Sequence, residues 1–406
     1  MATKNVDIPA HVPANLMFDA DLYNDPDFKT DMHAKMAKLH SKYPDVFYST
    51  ASGGYWVVTR RSLINTVMTH TQHFSSRQGQ IPPVEPAFRL LPLTLDPPAN
   101  TPFRLALMKY MGPKGINAMA DEIRKLTVLL LDRVAGLDTF EFVRPLGAGL
   151  PVTVFMNLMG LPLERFDEFR QLVLDFFSVL PEEKRRELYL QIDREMNGLI
   201  ADRLRERRDD LVSKLIDEKI NGEPMPIEDL KSMCNLLFMA GMDTVANAAS
   251  FMFYYLALRP DLQAEIHTNP AIIPDFVEES LRMYGIVNTP RQVREDVELG
   301  GVKMKKGEMV YVMLSLAGRD DRLVQDPDRF DLTRKSHPHM VFGGGPHMCA
   351  GQYLARVELR VLVEEWFKRY KSFGLAPGYE AEFRSWQVMA LSHLELKIGE
   401  RVPKPS

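Results

Sequence analysis

The chain is poor in the residues that build several common kinds of site. It has only two cysteines among 406 residues, so no disulfide framework is indicated. No Cys-x-x-Cys or His-Glu-x-x-His motif occurs, and no Gly-Lys-Ser or Gly-Lys-Thr follows a glycine run, which excludes the common zinc and phosphate-loop signatures. The formal net charge is only −4, which gives no reason to expect a nucleic-acid partner.

A membrane anchor is not indicated either. The N-terminal run Met1-Ala-Thr-Lys-Asn-Val-Asp7 has no apolar core. One nearly apolar stretch, residues 235–257, is long enough to span a bilayer. Asp243 lies in its middle, and a central aspartate costs about 3 kcal/mol in lipid. We therefore expect a long buried helix in a cytoplasmic protein.

The hydrophobic pattern is mostly helical. Residues 115–260 and Val357–Tyr370 carry helical periodicity, whereas Tyr55–Thr59 and the alternating stretch Val297–Leu316 are typical of short strands. No linker, repeat or low-complexity segment interrupts the chain. The pattern predicts a mostly α protein with small β-sheets, in a single domain over residues 1–406.

A glycine-rich turn near the C-terminus ends in one of the two cysteines: Phe342-Gly-Gly-Gly-Pro-His-Met-Cys349-Ala-Gly351. Glycines let a backbone take positive φ and approach a flat object closely. An amphipathic stretch follows Gly351, and the N-terminus of a helix favours a thiolate, which is the metal-binding form of cysteine. The turn therefore predicts a thiolate ligand at Cys349.

Two other interpretations of this segment stay open at this point. A cysteine is most often a buried small apolar residue. The segment also contains donors for a tetrahedral zinc site, although their spacing fits no common zinc motif; these are His337, His339, His347 and Cys349.

The apolar stretch contains the run Ala240-Gly-Met-Asp243-Thr244. Glycine, aspartate and threonine are mediocre or poor residues inside a helix, so their grouping costs helix stability. A functional gain would explain the cost. The alternative is that the Thr244 hydroxyl simply bonds the carbonyl of Ala240, four residues back.

A third motif is Glu279-x-x-Arg282, whose two side chains face the same way on a helix. By itself such a pair is usually a surface ion pair worth little. Its place in the chain matters more, because it lies between the Asp243-Thr244 stretch and the cysteine turn.

The three motifs, in this order, resemble cytochrome P450. The resemblance implies the P450 fold, with haem b between a long central helix and the cysteine loop, and Cys349 as its axial thiolate, which favours O–O cleavage. It implies that Thr244 and Asp243 are catalytic, serving oxygen activation and proton delivery. It places further haem-contacting residues at Phe342, Gly343, Ala240 and Gly241.

The resemblance also supplies residues around the haem. Its two carboxylates need cationic or donor partners, and the implied partners are Arg104, Arg291, His347 and Asn100. Arg329, in Pro327-Asp-Arg-Phe330, matches the third member of a structural network with Glu279 and Arg282 that locks the segment carrying the cysteine loop.

Within the family, the chain resembles the bacterial camphor hydroxylase group from about residue 11 onward. The runs that carry this are His11-Val-Pro-Ala-Asn-Leu-Met-Phe18, His73-Phe-Ser-Ser76, Leu95-Asp-Pro-Pro98 and Met242-Asp-Thr-Val-Ala-Asn247. The group receives electrons from a [2Fe–2S] ferredoxin and its flavin reductase, here NADH-dependent. The chain contains neither domain, so both partners are implied in trans.

The expected substrate differs from camphor. Camphor hydroxylases carry a ketone-binding tyrosine about where Phe88 stands, and phenylalanine cannot donate that hydrogen bond. The remaining pocket is mostly apolar, with candidate residues Phe88, Leu90, Gln80, Leu236, Met239 and Val287. We expect a monooxygenase for a small apolar molecule of terpenoid or norisoprenoid size. A peroxide-driven haem enzyme and a haem-based sensor or ligand-binding protein remain as alternatives.

Overall fold

The computed structural model describes residues 8–22, 32–178, 180–384 and 388–403. Within them the helices are α1 Met32–Ala37, α2 Leu39–Lys42, α3 Arg61–Thr69, α4 Thr101–Met111, α5 Pro113–Val134, α6 Gly149–Met159, α7 Phe166–Phe176, α8 Glu182–Arg205, α9 Leu211–Ile216, α10 Ile227–Gly241, α11 Thr244–Ala257, α12 Pro260–Thr268, α13 Ile273–Met283 and α14 Gln352–Phe367. The strands are β1 Met17–Phe18, β2 Val46–Ser49, β3 Tyr55–Val58, β4 Phe74–Ser75, β5 Thr139–Glu141, β6 Lys219–Ile220, β7 Glu223–Pro224, β8 Thr289–Val293, β9 Val297–Leu299, β10 Val302–Met304, β11 Met309–Val312, β12 Phe373–Leu375, β13 Phe383–Arg384, β14 Ala390–Leu391 and β15 Glu395–Ile398. The predicted mostly helical chain with short strands is confirmed.

The described residues fall into two compact units. The first, called the sheet unit here, holds those within residues 1–103, 281–349 and 385–389. The second, called the helical unit, holds those within residues 104–280, 350–384 and 390–406.

The sheet unit is built on a six-stranded sheet in the order β1-β2-β3-β11-β8-β4. Its central strands β3 and β11 run parallel, and all their residues are buried. Runs of valine and aromatic residues are typical of such doubly covered strands. Strand β8 pairs antiparallel with β11, with Arg291 opposite Val310, so a charged residue enters a largely apolar sheet.

The helical unit has an aromatic core. The rings of Phe142 and Phe253 stack with centroids 4.3 Å apart, and the fully buried Trp366 meets Phe253 edge-on at 4.9 Å. These residues join helices α11 and α14, since each bulky ring buries a large apolar area. The three-stranded sheet β12-β15-β5 belongs to the same unit.

The expected long central helix is interrupted. Helix α10 ends at Gly241 and α11 begins at Thr244, with Asp243 at φ −139° and ψ −27° between them. Glycine and aspartate propagate a helix poorly, which accounts for the break at this point. Within the described residues, the stretch Ile227–Ala257 is the one part long and apolar enough to cross a membrane. Of the 18-residue apolar segment that meets this test, 67% is buried inside the protein.

Candidate functional site

The cysteine turn is a closed loop in the sheet unit. The backbone N–H of Cys349 donates to the carbonyl of Phe342 at 2.7 Å, and that of Met348 donates to Gly345 at 3.2 Å. A short 3₁₀ turn, Gly345–His347, lies inside the loop. The Cys349 side chain is exposed, three residues before α14 begins. The loop thus presents a thiol from a backbone fixed by hydrogen bonds.

Two glycines are required by the course of this loop. Gly343 and Gly345 have φ of 75° and 60°, in the left-handed region that favours glycine. A Cβ at Gly345 would also lie 2.8 Å from the carbonyl oxygen of Met68 on α3. Backbone conformation at both positions, and close packing at Gly345, therefore explain why glycine stands there.

The other interpretations of the cysteines can now be compared. Cys234 is the buried apolar cysteine: it lies fully inside the helical unit on α10, and burial raises the pKa of its thiol to about 12. The zinc set of His337, His339, His347 and Cys349 is not supported, because no three histidine, cysteine, aspartate or glutamate side chains group to hold a metal ion anywhere in the described residues.

His347 is buried and held by a neighbouring serine. Its Nε2 lies 3.1 Å from the hydroxyl oxygen of Ser76, and that hydroxyl lies 3.3 Å from Oδ1 of Asp96. The backbone N–H of Ser76 donates to the same carboxylate oxygen at 2.9 Å. The predicted haem-binding histidine is thus the end of a hydrogen-bonded chain in the sheet unit.

Two further predicted haem partners lie in this unit. Arg291 is only 3% exposed and donates from Nη1 to Thr289 Oγ1 at 3.0 Å and to the carbonyl of Pro290 at 2.7 Å. Burial lowers the pKa of its guanidinium to about 10, although the charge of Asp96 acts in the opposite direction. Asn100, fully buried, donates from Nδ2 to the carbonyl of Pro346 at 3.4 Å.

Arg104 is half-buried on α4 of the helical unit. Its role toward a haem carboxylate stays a prediction.

The Glu-x-x-Arg motif lies on α13, where Glu279 and Arg282 are both fully buried. The Arg282 guanidinium donates to the carbonyls of Gly318 and Pro327, each at 2.7 Å, and to that of Arg329 at 3.0 Å. Arg282 therefore meets Arg329 through its backbone, while the Arg329 side chain is exposed. The side-chain role given to Arg329 stays a prediction.

The Asp243-Thr244 pair lies at the break between α10 and α11. The Thr244 hydroxyl donates to the carbonyl of Ala240 at 3.0 Å. This is the bond to the carbonyl four residues back that the sequence offered as an alternative to a functional role. This bond fixes the direction of the Thr244 oxygen and leaves it able to accept. Ala240 is itself exposed and Thr244 half-exposed, so a small molecule can reach this turn.

Asp243 is 5% exposed and carries an asymmetric set of partners. Its Oδ2 accepts from Asn247 Nδ2 at 2.6 Å, and its Oδ1 lies 3.9 Å from Arg170 Nη2 on α7. Burial raises the pKa of the Asp243 carboxyl; the charges of Arg170 and Arg384 and the hydrogen bond from Asn247 oppose that rise without cancelling it. The Asp243 carboxyl therefore keeps its proton to higher pH than an exposed aspartate does.

Gly241 has a packing requirement of its own. A Cβ at this position would lie 2.3 Å from Cδ2 of Phe155 on α6, closer than any real contact. The ring of Phe155 thus accounts for a glycine here. The role beside the haem predicted for Gly241 and Ala240 stays a prediction.

The candidate pocket residues are divided between the two units. Gln80, Phe88 and Leu90 are half-buried in the segment between β4 and α4, and Val287 forms a β-bridge with Val388 in the same unit. In the helical unit, Leu236 is half-buried and Met239 buried on α10. Their predicted contact with substrate stays a prediction.

Sequence reasoning gave no role to Ser76, Asp96 or Arg170. Ser76 and Asp96 stood in runs that only carried the resemblance, and Arg170 is 73 residues from Asp243, with no local signal. Asn247 could have been found, because a residue four positions after Asp243 faces it on a helix.

Comparison with known proteins assigns the chain to a family. The family profile described as Cytochrome P450 matches residues 148–377, which is more than half of the chain. This protein belongs to the cytochrome P450 family. It has the P450 fold, and members of this monooxygenase family bind haem b through a cysteine thiolate.

Individual relatives match this chain over nearly its whole length. The chain is 30% identical over 399 residues to the probable cytochrome P450 127A1 of Sinorhizobium fredii, covering 96% of each. It matches the crystal structure of CYP101J2 with a TM-score of 0.89 and 29% identity, covering 97% of this chain and 100% of that one. The crystal structure of CYP101C1 matches with a TM-score of 0.88 and 28% identity, covering 96% and 99%. These neighbours support the predicted kinship with the camphor hydroxylase group.

The residues present fit haem b. Cys349 is an exposed thiol on a loop whose backbone is fixed by hydrogen bonds. Arg291 is a buried cation that makes no ion pair with a carboxylate of the described residues, as a partner for a haem carboxylate would be. The cofactor requires one thiolate for its iron and cationic or hydrogen-bond-donating side chains for its carboxylates.

Proposed function

We propose that this protein is a haem-thiolate monooxygenase that inserts one oxygen atom of O₂ into a C–H bond of a small apolar substrate. The balanced reaction converts O₂, two electrons, two protons and R–H into R–OH and water. The observation that carries the proposal is the buried Asp243 beside Thr244 at a helix break, in a chain of the cytochrome P450 family. We also propose that the chain is a single P450 domain over residues 1–406, located in the cytoplasm.

Cys349 would ligate the haem iron, and His347, Arg291, Arg104 and Asn100 would hold its two carboxylates. Bound haem supplies the redox chemistry, since a thiolate ligand pushes electron density that favours O–O cleavage. Buried carboxylates need such partners, because an unpaired buried charge is strongly unfavourable.

Proton delivery is the task of Thr244 and Asp243. The Thr244 hydroxyl is turned toward Ala240, so its oxygen can accept a hydrogen bond and pass a proton on by rotating. Burial raises the pKa of Asp243, so its carboxyl holds and releases a proton at higher pH than an exposed aspartate does. Together they would supply protons from one side of the site, with Asp243, the acid of the pair, shielded from bulk water by its burial.

The electron partners and the substrate class rest on the resemblance to the camphor hydroxylase group. We propose a [2Fe–2S] ferredoxin with an NADH-dependent reductase. Phe88 in place of a hydrogen-bonding tyrosine, together with the candidates Leu90, Leu236, Met239 and Val287, favours a terpenoid or norisoprenoid rather than camphor. Gln80 would be the polar member of that pocket.

The proposal is tested by turnover with ¹⁸O₂ in the presence of a camphor-group ferredoxin, its reductase and NADH. A panel of terpenoids and ionone-like compounds is first screened for a spin-state change on binding. We expect one ¹⁸O atom in the alcohol product of a compound that binds. A protein that binds such compounds but never forms product would be a sensor or binding protein.

The peroxide-driven alternative is separated by its oxidant. Relatives of that kind usually lack the acid–alcohol pair that Asp243 and Thr244 provide here. Turnover with hydrogen peroxide alone, at the rate of the ferredoxin system, would favour that alternative and leave Asp243 without a role.

A further inference from the structure

A hydrogen-bonded chain in the sheet unit runs from Asp96 through Ser76 to His347. The Ser76 hydroxyl oxygen lies 3.3 Å from Asp96 Oδ1 and 3.1 Å from His347 Nε2. Ser76 and His347 are 2% and 8% exposed, so water competes little for these bonds. The three residues come from separate parts of the chain, so no local folding rule brings them together.

Asp96 is the fixed end of this chain. Its Oδ2 accepts from the Ser75 hydroxyl at 2.6 Å, and its Oδ1 accepts from the backbone N–H of Ser76 at 2.9 Å. Arg294 Nη1 lies 3.7 Å from the same carboxylate. A carboxylate with this many donors has little freedom to rotate, because each turn would break a charge-assisted bond.

Strand β4 connects the Asp96 carboxylate to the neighbouring strand β8. Ser75 ends β4 and pairs with Gln292, next to Arg291 on β8. Asp96 bonds the hydroxyl of Ser75, and the strand that contains Ser75 pairs with β8, which carries the buried Arg291. The negative charge of Asp96 acts on Arg291 as well.

His347 receives its orientation from Ser76. An imidazole bonded at Nε2 to a fixed hydroxyl has a defined ring plane, and the direction of its Nδ1 follows from that plane. Outer partners of this kind decide how a histidine meets the group it serves. His347 lies two residues before the cysteine, in the loop closed by the Cys349–Phe342 hydrogen bond.

We propose that Ser76 and Asp96 are positioning residues that hold His347 in the orientation in which it binds one carboxylate of the haem. The inference rests on the proposed function, since it presumes that haem binds at this loop. It adds Ser76, whose effect on the cofactor passes through His347, and Asp96, which holds Ser76 and whose charge also acts on Arg291. Neither residue is asked to touch the haem.

The test compares adjacent serines in the holoprotein. Ser76→Ala removes the hydroxyl that reaches His347, whereas Ser75→Ala removes one that donates to Asp96 and accepts from the backbone N–H of Arg77 but does not bond His347. We expect Ser76→Ala to raise the rate of haem transfer to apomyoglobin roughly tenfold, as for a lost buried hydrogen bond, and to lower the haem reduction potential. Ser75→Ala should change either quantity much less, and Ser76→Thr, which keeps a hydroxyl, should restore both.

A double-mutant cycle separates positioning from a general loss of structure. In a His347→Ala background, Ser76→Ala should have no further effect on haem transfer or potential, because its route to the haem is gone. Equal effects of Ser76→Ala with and without His347, or equal effects of the two serine variants, would overturn the inference. A wild-type protein that binds no haem would overturn the proposed function instead, so the two failures are distinct.

Discussion

The guanidinium of Arg170 lies 3.9 Å from the carboxylate of Asp243, too far for a hydrogen bond and near enough for its charge to act. Burial raises the pKa of Asp243, and Arg170 is the largest influence that opposes this rise. Arg170 is itself largely buried, and burial lowers the pKa of its guanidinium. The charge of Arg170 therefore helps to set the pKa of Asp243, the acid of the proposed proton relay.

Replacing this arginine should shift a titration. In Arg170→Met the favourable charge is lost, so the pKa of Asp243 rises further and a larger fraction stays protonated at neutral pH. We expect the acid side of the pH profile of product formation to move to higher pH. Arg186→Met, which removes an exposed ion pair with Glu182 on α8, is the matched control and should leave the profile in place. A profile of Arg170→Met that coincides with the wild type would contradict this role for the pair.

The Thr244 hydroxyl should govern coupling rather than cofactor binding. In Thr244→Ala we expect NADH consumption to continue while peroxide accumulates, with product per NADH falling by roughly tenfold or more. Thr244→Ser retains the hydroxyl that donates to Ala240 and should stay close to the wild type. The measurement is the ratio of product and peroxide to NADH consumed. Unchanged coupling in the alanine variant would remove Thr244 from the relay.

Gly241 should be intolerant of even a methyl group. Gly241→Ala places a Cβ 2.3 Å from the Phe155 ring, and such overpacking costs about 1–3 kcal/mol. Phe155→Leu in the same chain should recover part of that loss. The control is Gly198→Ala within α8, where nothing lies within 4 Å of the new Cβ and a gain of about 0.5–1 kcal/mol is expected. Denaturant unfolding of the holoproteins measures all three, and equal stability of Gly241→Ala and Gly198→Ala would show that the contact with Phe155 is not limiting.

Two glutamates on α14 should affect stability with opposite dependence on pH. Burial raises the pKa of Glu358 well above its ordinary value, so the folded protein holds this carboxyl neutral to higher pH than the unfolded chain does. Its contribution is therefore lost as the pH rises above the unfolded value of about 4.3. We expect Glu358→Gln to gain thermal stability relative to the wild type as the pH is raised from 5 to 8.

Glu365 provides the contrast. Burial raises its pKa, but hydrogen bonds from Lys368 and Arg124 outweigh burial and the net shift is downward. Its stabilisation is present above the unfolded pKa and lost as the pH falls through the folded one. Glu365→Gln should thus lower the midpoint of thermal unfolding at pH 7 and approach the wild type in acid. If both variants change stability by the same amount at every pH, the two environments do not differ as described.

Much of the fold followed from local patterns. The buried strand at Tyr55–Val58, the small strands between Val297 and Val312, and the helix that follows the cysteine turn all came from periodicity and turn residues. The break in the central helix was only half foreseen. Composition marked residues 240–244 as costly for a helix, but propensity is a weak guide and did not predict that one helix ends at Gly241 and the next begins at Thr244.

The site was predictable where its residues lie close in the chain. The cysteine loop and the Asp243-Thr244 pair are short motifs, so spacing alone located them. Arg170 and the Asp96–Ser76–His347 chain are contacts between distant segments, and periodicity carries no information about them. Arg282 shows the same limit, since its partners at residues 318, 327 and 329 are backbone carbonyls, which no side-chain motif encodes.

The assignment of Cys349 as the haem ligand is decided by the absorption spectrum of the reduced protein under carbon monoxide. We expect the strongly red-shifted Soret band of a thiolate-ligated haem in the wild type and its loss in Cys349→His, with Cys234→Ala keeping the wild-type band. A wild-type band at the position typical of histidine ligation would contradict the assignment and remove the basis for oxygen insertion.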